Sequence, residues 1–69
     1  MPKITYEKLY NEGLEIGYKP TKQVLMGLIE KAYWAWKNRL ISKKQFLDLK
    51  IEYKNNYDYA INSNYRENY

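Results

Sequence analysis

The stretch Thr21–Leu40, TKQVLMGLIEKAYWAWKNRL, decides the fold. Advancing about 100° per residue from Leu25 places Leu28, Ile29, Ala32, Trp36 and Leu40 on one side of a helix. Val24, Met26, Tyr33 and Ala35 widen that side to roughly half the circumference, more than the apolar stripe of an ordinary surface helix. A face that wide requires cover from two neighbours, so the pattern predicts a central helix sandwiched by two others.

The segment that follows supplies one of them. After the short join Leu40-Ile41-Ser42, Ser42 and Gln45 match an S-x-x-Q capping box, and Ile41 with Phe46 matches a hydrophobic staple. Phe46, Leu49, Tyr53, Tyr57, Ala60 and Ile61 then recur on one face, which predicts a helix over about 43–62. Lys44 with Asp48 and Lys54 with Asp58 are opposite charges four apart on its outer side, each pair contributing a few tenths of a kcal/mol. The last residues, NSNYRENY, carry no periodicity and predict a frayed polar tail at about 62–69.

The segment before the central helix supplies the other. Thr5 is a helix N-cap, with Ile4 and Leu9 placed as a staple. Tyr6, Leu9, Tyr10, Gly13 and Ile16 follow at helical spacing, predicting a helix over about 5–16. Gly17 stands where a C′ glycine would end it, and Pro20 blocks continuation. Gly13 in mid-helix costs up to ~1 kcal/mol against alanine. It either ends the helix early or admits a close neighbour. Thr21 caps the central helix. Because a short join between long helices favours an antiparallel hairpin, the expected fold is all-α. It is a single three-helix domain over 1–69, a hairpin of about 21–40 and 43–62 with the shorter N-terminal helix packed on it.

Composition narrows the function. A chain of 69 residues buries only about 60% of its unfolded surface, so its stability is marginal. It contains no cysteine and no histidine. Disulfides, thiolate or imidazole metal sites and the commonest general base are therefore excluded. The apolar runs Val24–Ile29 and Ala32–Trp36 fall far short of the ~20 residues of a membrane span. The N-terminal MPKITYEKLY has no apolar signal region. The expectation is a soluble, cytoplasmic protein with no cofactor, no metal and no membrane partner.

Catalytic constellations are missing. Thr5, Thr21, Ser42 and Ser63 are the only hydroxyls outside tyrosine, and none has a histidine to activate it. Glu12 with Glu15, and Asp48 with Glu52, read as solvated surface charge. Gly13, Gly17 and Gly27 do not have the spacing of a phosphate loop. The chain is expected not to be an enzyme.

Three features bear on binding. Trp34 falls about 180° from Leu25, on the polar side with Gln23, Glu30, Lys37 and Asn38. There it is either covered by another segment or offered to a partner, and tryptophan is enriched in binding hot spots. Trp36 lies in the apolar face and is expected in the core. Nine tyrosines occur. Tyr6, Tyr10, Tyr53 and Tyr57 take core-facing positions, whereas Tyr18, Tyr59, Tyr65 and Tyr69 do not, and surface tyrosine suits recognition. Finally, the net charge of +4 is concentrated in residues 21–41, where Lys22, Lys31, Lys37 and Arg39 outweigh Glu30.

The function expected from these features is a protein-binding module, a regulator or inhibitor of a larger protein, by analogy with small standalone proteins of phages and mobile elements. Its contact surface is Trp34 with Gly27, Lys31, Lys37 and Asn38, extended by Tyr59 or by the tail tyrosines Tyr65 and Tyr69. The alternative is a nucleic-acid binder using Lys37, Arg39, Lys43 and Lys44 at the hairpin tip, where the start of a helix favours phosphate. Homodimerisation through the wide apolar face is compatible with either. The segment Lys37–Lys50, KNRLISKKQFLDLK, is similar to the hairpins of short SHOCT-type domains, in which a basic or glycine turn runs into L-I-[ST]-x-x-[EQ]-F. The resemblance covers about a fifth of the chain. Capping chemistry alone generates it, and it carries no function across.

Overall fold

The computed structural model describes residues 4–67, with side chains described for residues 4–62. In chain order the elements are α1 (Tyr6–Glu12), a 3₁₀ turn (Gly13–Gly17), α2 (Lys22–Lys37) and α3 (Lys43–Glu67). The described residues contain no strand, and α2 and α3 form the antiparallel hairpin on which the N-terminal segment packs.

Each helix starts where a side chain satisfies its first amides. Thr5 Oγ1 accepts from the Lys8 N–H at 3.1 Å and Thr21 Oγ1 from the Val24 N–H at 3.2 Å. The capping box at α3 is reciprocal. The Gln45 N–H donates to Ser42 Oγ at 3.1 Å, and the Ser42 N–H donates to Gln45 Oε1 at 2.9 Å. Ile41 and Phe46, the staple pair, are both buried.

The N-terminal element departs from a continuous helix over 5–16. It changes to a 3₁₀ turn at Gly13, and Gly17 has no positive φ. Instead, the Tyr18 and Lys19 N–H groups both donate to the Glu15 carbonyl at 3.0 Å. The cause is packing. Residues three apart eclipse in a 3₁₀ turn, so Gly13 and Ile16 are buried together against α3. The Tyr53 ring lies directly over Gly13, where a Cβ would come within 2.6 Å of Cε1.

Tyr53 is fully buried, and its hydroxyl donates to the Leu9 carbonyl at 2.7 Å. Burial pushes its phenol well above the usual tyrosine range, and Glu12 and Tyr6 add to the shift. The group therefore remains a hydrogen-bond donor through neutral and moderately alkaline pH. The largest fully buried side chains are Tyr53, Leu9, Ile16 and Leu49. All come from α3 or the N-terminal segment, so the centre of the core lies between those two and not on α2.

That placement corrects the reading of α2 as a sandwiched centre. Its buried residues are Leu28, Ala32 and Ala35, a strip turned about 50° from Leu25. Leu25, Ile29 and Trp36 are half-buried, and Met26, Tyr33 and Leu40 are exposed. Small alanines let α2 approach its neighbours along one edge of its apolar half, and the bulky edge is left outside. Tyr10, expected in the core, is also exposed.

Helix α3 continues past Asn62, where the apolar repeat ends, to Glu67. Backbone hydrogen bonds need no apolar pattern to continue. The tail expected at about 62–69 falls mainly on positions whose side chains, and at 68–69 whose backbone, lie outside the described residues.

Candidate functional site

Trp34 stands on the side of α2 away from both neighbours and is 60% exposed. On this helix Gly27, Lys31 and Asn38 share its side at i−7, i−3 and i+4. The Asn38 side-chain amide donates to the Trp34 carbonyl at 2.7 Å and closes the end of the helix beside the indole. Gly27 leaves that side flat, and a Cβ built there would meet nothing within 4 Å.

The other residues expected at a protein contact are placed differently. Lys31 reaches back to α1 and pairs with both carboxylate oxygens of Glu12, at 2.6 and 2.9 Å. It is the only ion pair among the described residues, and the expected pairs Lys44–Asp48 and Lys54–Asp58 do not close. Lys37 turns away from Trp34 and sets its ammonium 4.5 Å from the centre of the Trp36 ring and 5.4 Å from that of Tyr33. Tyr59 is 76% exposed. However, it lies 16 residues into α3, about 24 Å from the turn, whereas Trp34 lies about 6 Å from it. The fold does not bring Tyr59 to the indole.

Around the hairpin tip, Trp36 stacks on Phe46 with ring centres 5.3 Å apart and planes 15° from parallel. Tyr33 meets both rings edge-on, at 5.8 and 5.9 Å. Lys37 thus caps a packed aromatic cluster, a cation–π arrangement. Of the four basic residues read as a nucleic-acid surface, Arg39 and Lys43 line one shallow hollow of ≈ 400 Å³ with Trp36, Leu40, Ser42 and Gln45. Lys44 is exposed in the first turn of α3.

Arg39 carries a backbone signal that composition did not announce. Its φ is 60°, the only positive φ among the described residues. The Leu40 N–H donates to the Ala35 carbonyl at 2.8 Å and the Arg39 N–H to the Trp36 carbonyl at 2.9 Å. This is a Schellman closure with arginine at C′, the place that favours glycine. Arg39→Gly is therefore expected to raise stability by about 0.5–1 kcal/mol. Thermal melts monitored by circular dichroism check this, and a lower melting temperature in the variant would refute it.

A second surface lies on the wide apolar face of α2 expected to serve homodimerisation. Met26, Ile29, Tyr33 and Phe46 line an apolar groove of ≈ 510 Å³ between α2 and α3, with Glu30 and Lys50 at its edges. The signal for it was the excess width of the α2 apolar face. Among the described residues there is no cluster of three metal-ligating side chains, and no helix is long and apolar enough to cross a membrane. Comparison with protein-family models, curated proteins and solved structures finds no match to the chain.

Proposed function

We propose that this chain is a small non-catalytic protein-binding module, a regulator or inhibitor of a larger protein, with Trp34 as the anchor of the contact. One observation carries the reading: a 60% exposed indole beside a helix glycine that no neighbour requires. Tryptophan is the side chain most enriched at hot spots. A glycine inside an exposed helix costs about 1 kcal/mol, and inside the monomer Gly27 gives no packing return. A partner that uses the indole also gains the flat strip beside it. The absence of histidine and cysteine from the chain supports a non-catalytic role.

The test uses the chain as bait in lysate of its source cell, with wild type and Trp34→Ala compared side by side. Trp34→Ala is expected to lower capture of the specific partner at least about fivefold, equivalent to more than ~1 kcal/mol. Its melting temperature should stay within a few degrees of wild type, because an exposed side chain contributes little to the core. Equal capture, or loss of capture accompanied by unfolding, would reject the assignment.

The strained Arg39 beside Lys43 supports a second reading, nucleic-acid binding at the tip. Backbone strain concentrates at functional positions, and a guanidinium suits phosphate. That reading requires an affinity for DNA or RNA that falls with salt.

A further inference from the structure

The groove between α2 and α3 exposes apolar surface that the fold leaves uncovered. Met26 is 61% exposed on one wall, and Leu47 and Ile51 extend the apolar surface beyond Lys50 on the other. Glu30 and Lys50 stand on opposite edges, and neither has an opposite charge within 4 Å among the described residues. We propose that this groove is the docking face for a second copy of the chain, related by a two-fold axis running parallel to the helices.

The register of the two charges selects that partner. Glu30 lies eight residues before Asn38, the cap of α2, and Lys50 lies seven residues after Lys43, the start of α3. At about 1.5 Å per residue both stand about 11 Å from the turn, at one level of the hairpin. A two-fold axis along the helices sets α2 of each copy against α3 of the other. Each Glu30 then meets the Lys50 of the second copy, and the pair occurs twice, as a two-fold interface requires. The perpendicular axis at this level would set Glu30 on Glu30 and is disfavoured.

The permitted arrangement is an antiparallel four-helix seam, with Met26, Ile29, Tyr33 and Phe46 of both copies in its centre. Trp34 lies about 100° around α2 from Tyr33, so it stays outside the seam. A dimer built this way displays two indoles.

Analytical ultracentrifugation of the full chain over a dilution series, with starting concentrations up to about 1 mM, tests the proposal. Wild type is expected to dimerise reversibly. Glu30→Lys alone and Lys50→Glu alone should each weaken the dimer about tenfold or more, because each change places like charges together twice. Mixing the two single variants should restore association to near the wild-type level, since the mixed pair recovers both opposite-charge contacts. Both positions are exposed, and thermal melts of the two variants confirm that they fold. A wild type that remains monomeric throughout overturns the proposal. So does a dimer indifferent to either substitution, or a pair of weakened variants that fails to associate on mixing.

Discussion

Phe46→Ala is expected to remove the cooperative fold, or to lower its melting temperature by about 15 °C or more. Phe46 is buried, stacks on Trp36 and takes the edge of Tyr33. It is also the inner half of the staple that closes on Ile41 at the start of α3. Truncation removes a ring at the one place where the aromatic edge of α2 meets α3. Deleting a buried phenylalanine costs about 3–5 kcal/mol. A single core in a chain of this size rarely supplies more than about that amount in total. Far-ultraviolet circular dichroism against temperature reads the result directly. A cooperative melt within a few degrees of wild type would mean that Phe46 does not pack between Trp36 and Tyr33, and the groove that Phe46 and Tyr33 line would lose its basis.

Much of this fold was legible because its instructions are local. Thr5, Thr21 and the Ser42–Gln45 box act within three residues, so a sequence states them directly. The outlying position of Trp34 was likewise visible, since a helical wheel needs only the period. Lateral placement was not. Which edge of the wide α2 face is buried depends on how closely Ala32 and Ala35 approach other helices, and that depends on the N-terminal segment packing over Tyr53. The pair Lys31–Glu12 joins residues 19 apart, beyond any local rule, while the two local pairs expected on α3 do not close. Arg39 occupies a position where sequence reasoning looks for glycine, so its left-handed backbone left no compositional trace. Of the expected contact residues, the fold keeps Trp34, Gly27 and Asn38 together, ties Lys31 to α1, turns Lys37 to Trp36 and carries Tyr59 away.

Gly13 and Gly27 should respond to the same substitution with opposite signs. At Gly13 the backbone, with φ −62° and ψ −21°, is one that alanine adopts without strain. The obstacle is contact: a Cβ there would sit 2.6 and 2.7 Å from two carbons of the Tyr53 ring. That ring cannot swing aside, because it is fully buried and its hydroxyl is held by the Leu9 carbonyl. Overpacking of this kind costs about 1–3 kcal/mol. Gly13→Ala is therefore expected to lose about 2 kcal/mol, or about 10 °C in melting temperature, despite the better helix propensity of alanine. Tyr53→Leu has its own cost, since it loses the hydroxyl bond to the Leu9 carbonyl. In that background Gly13→Ala should cost much less than in wild type, because the two positions are in contact and their effects do not add. At Gly27 an added Cβ meets nothing within 4 Å, so Gly27→Ala should gain up to about 1 kcal/mol. Chemical denaturation of wild type, Gly13→Ala, Tyr53→Leu, their double variant and Gly27→Ala measures both signs and the coupling in one series. If Gly13→Ala were neutral, the close approach of α3 to the 3₁₀ turn would be wrong. If Gly27→Ala destabilised the fold, that glycine would have an internal role, and its service to a partner beside Trp34 would lose its support.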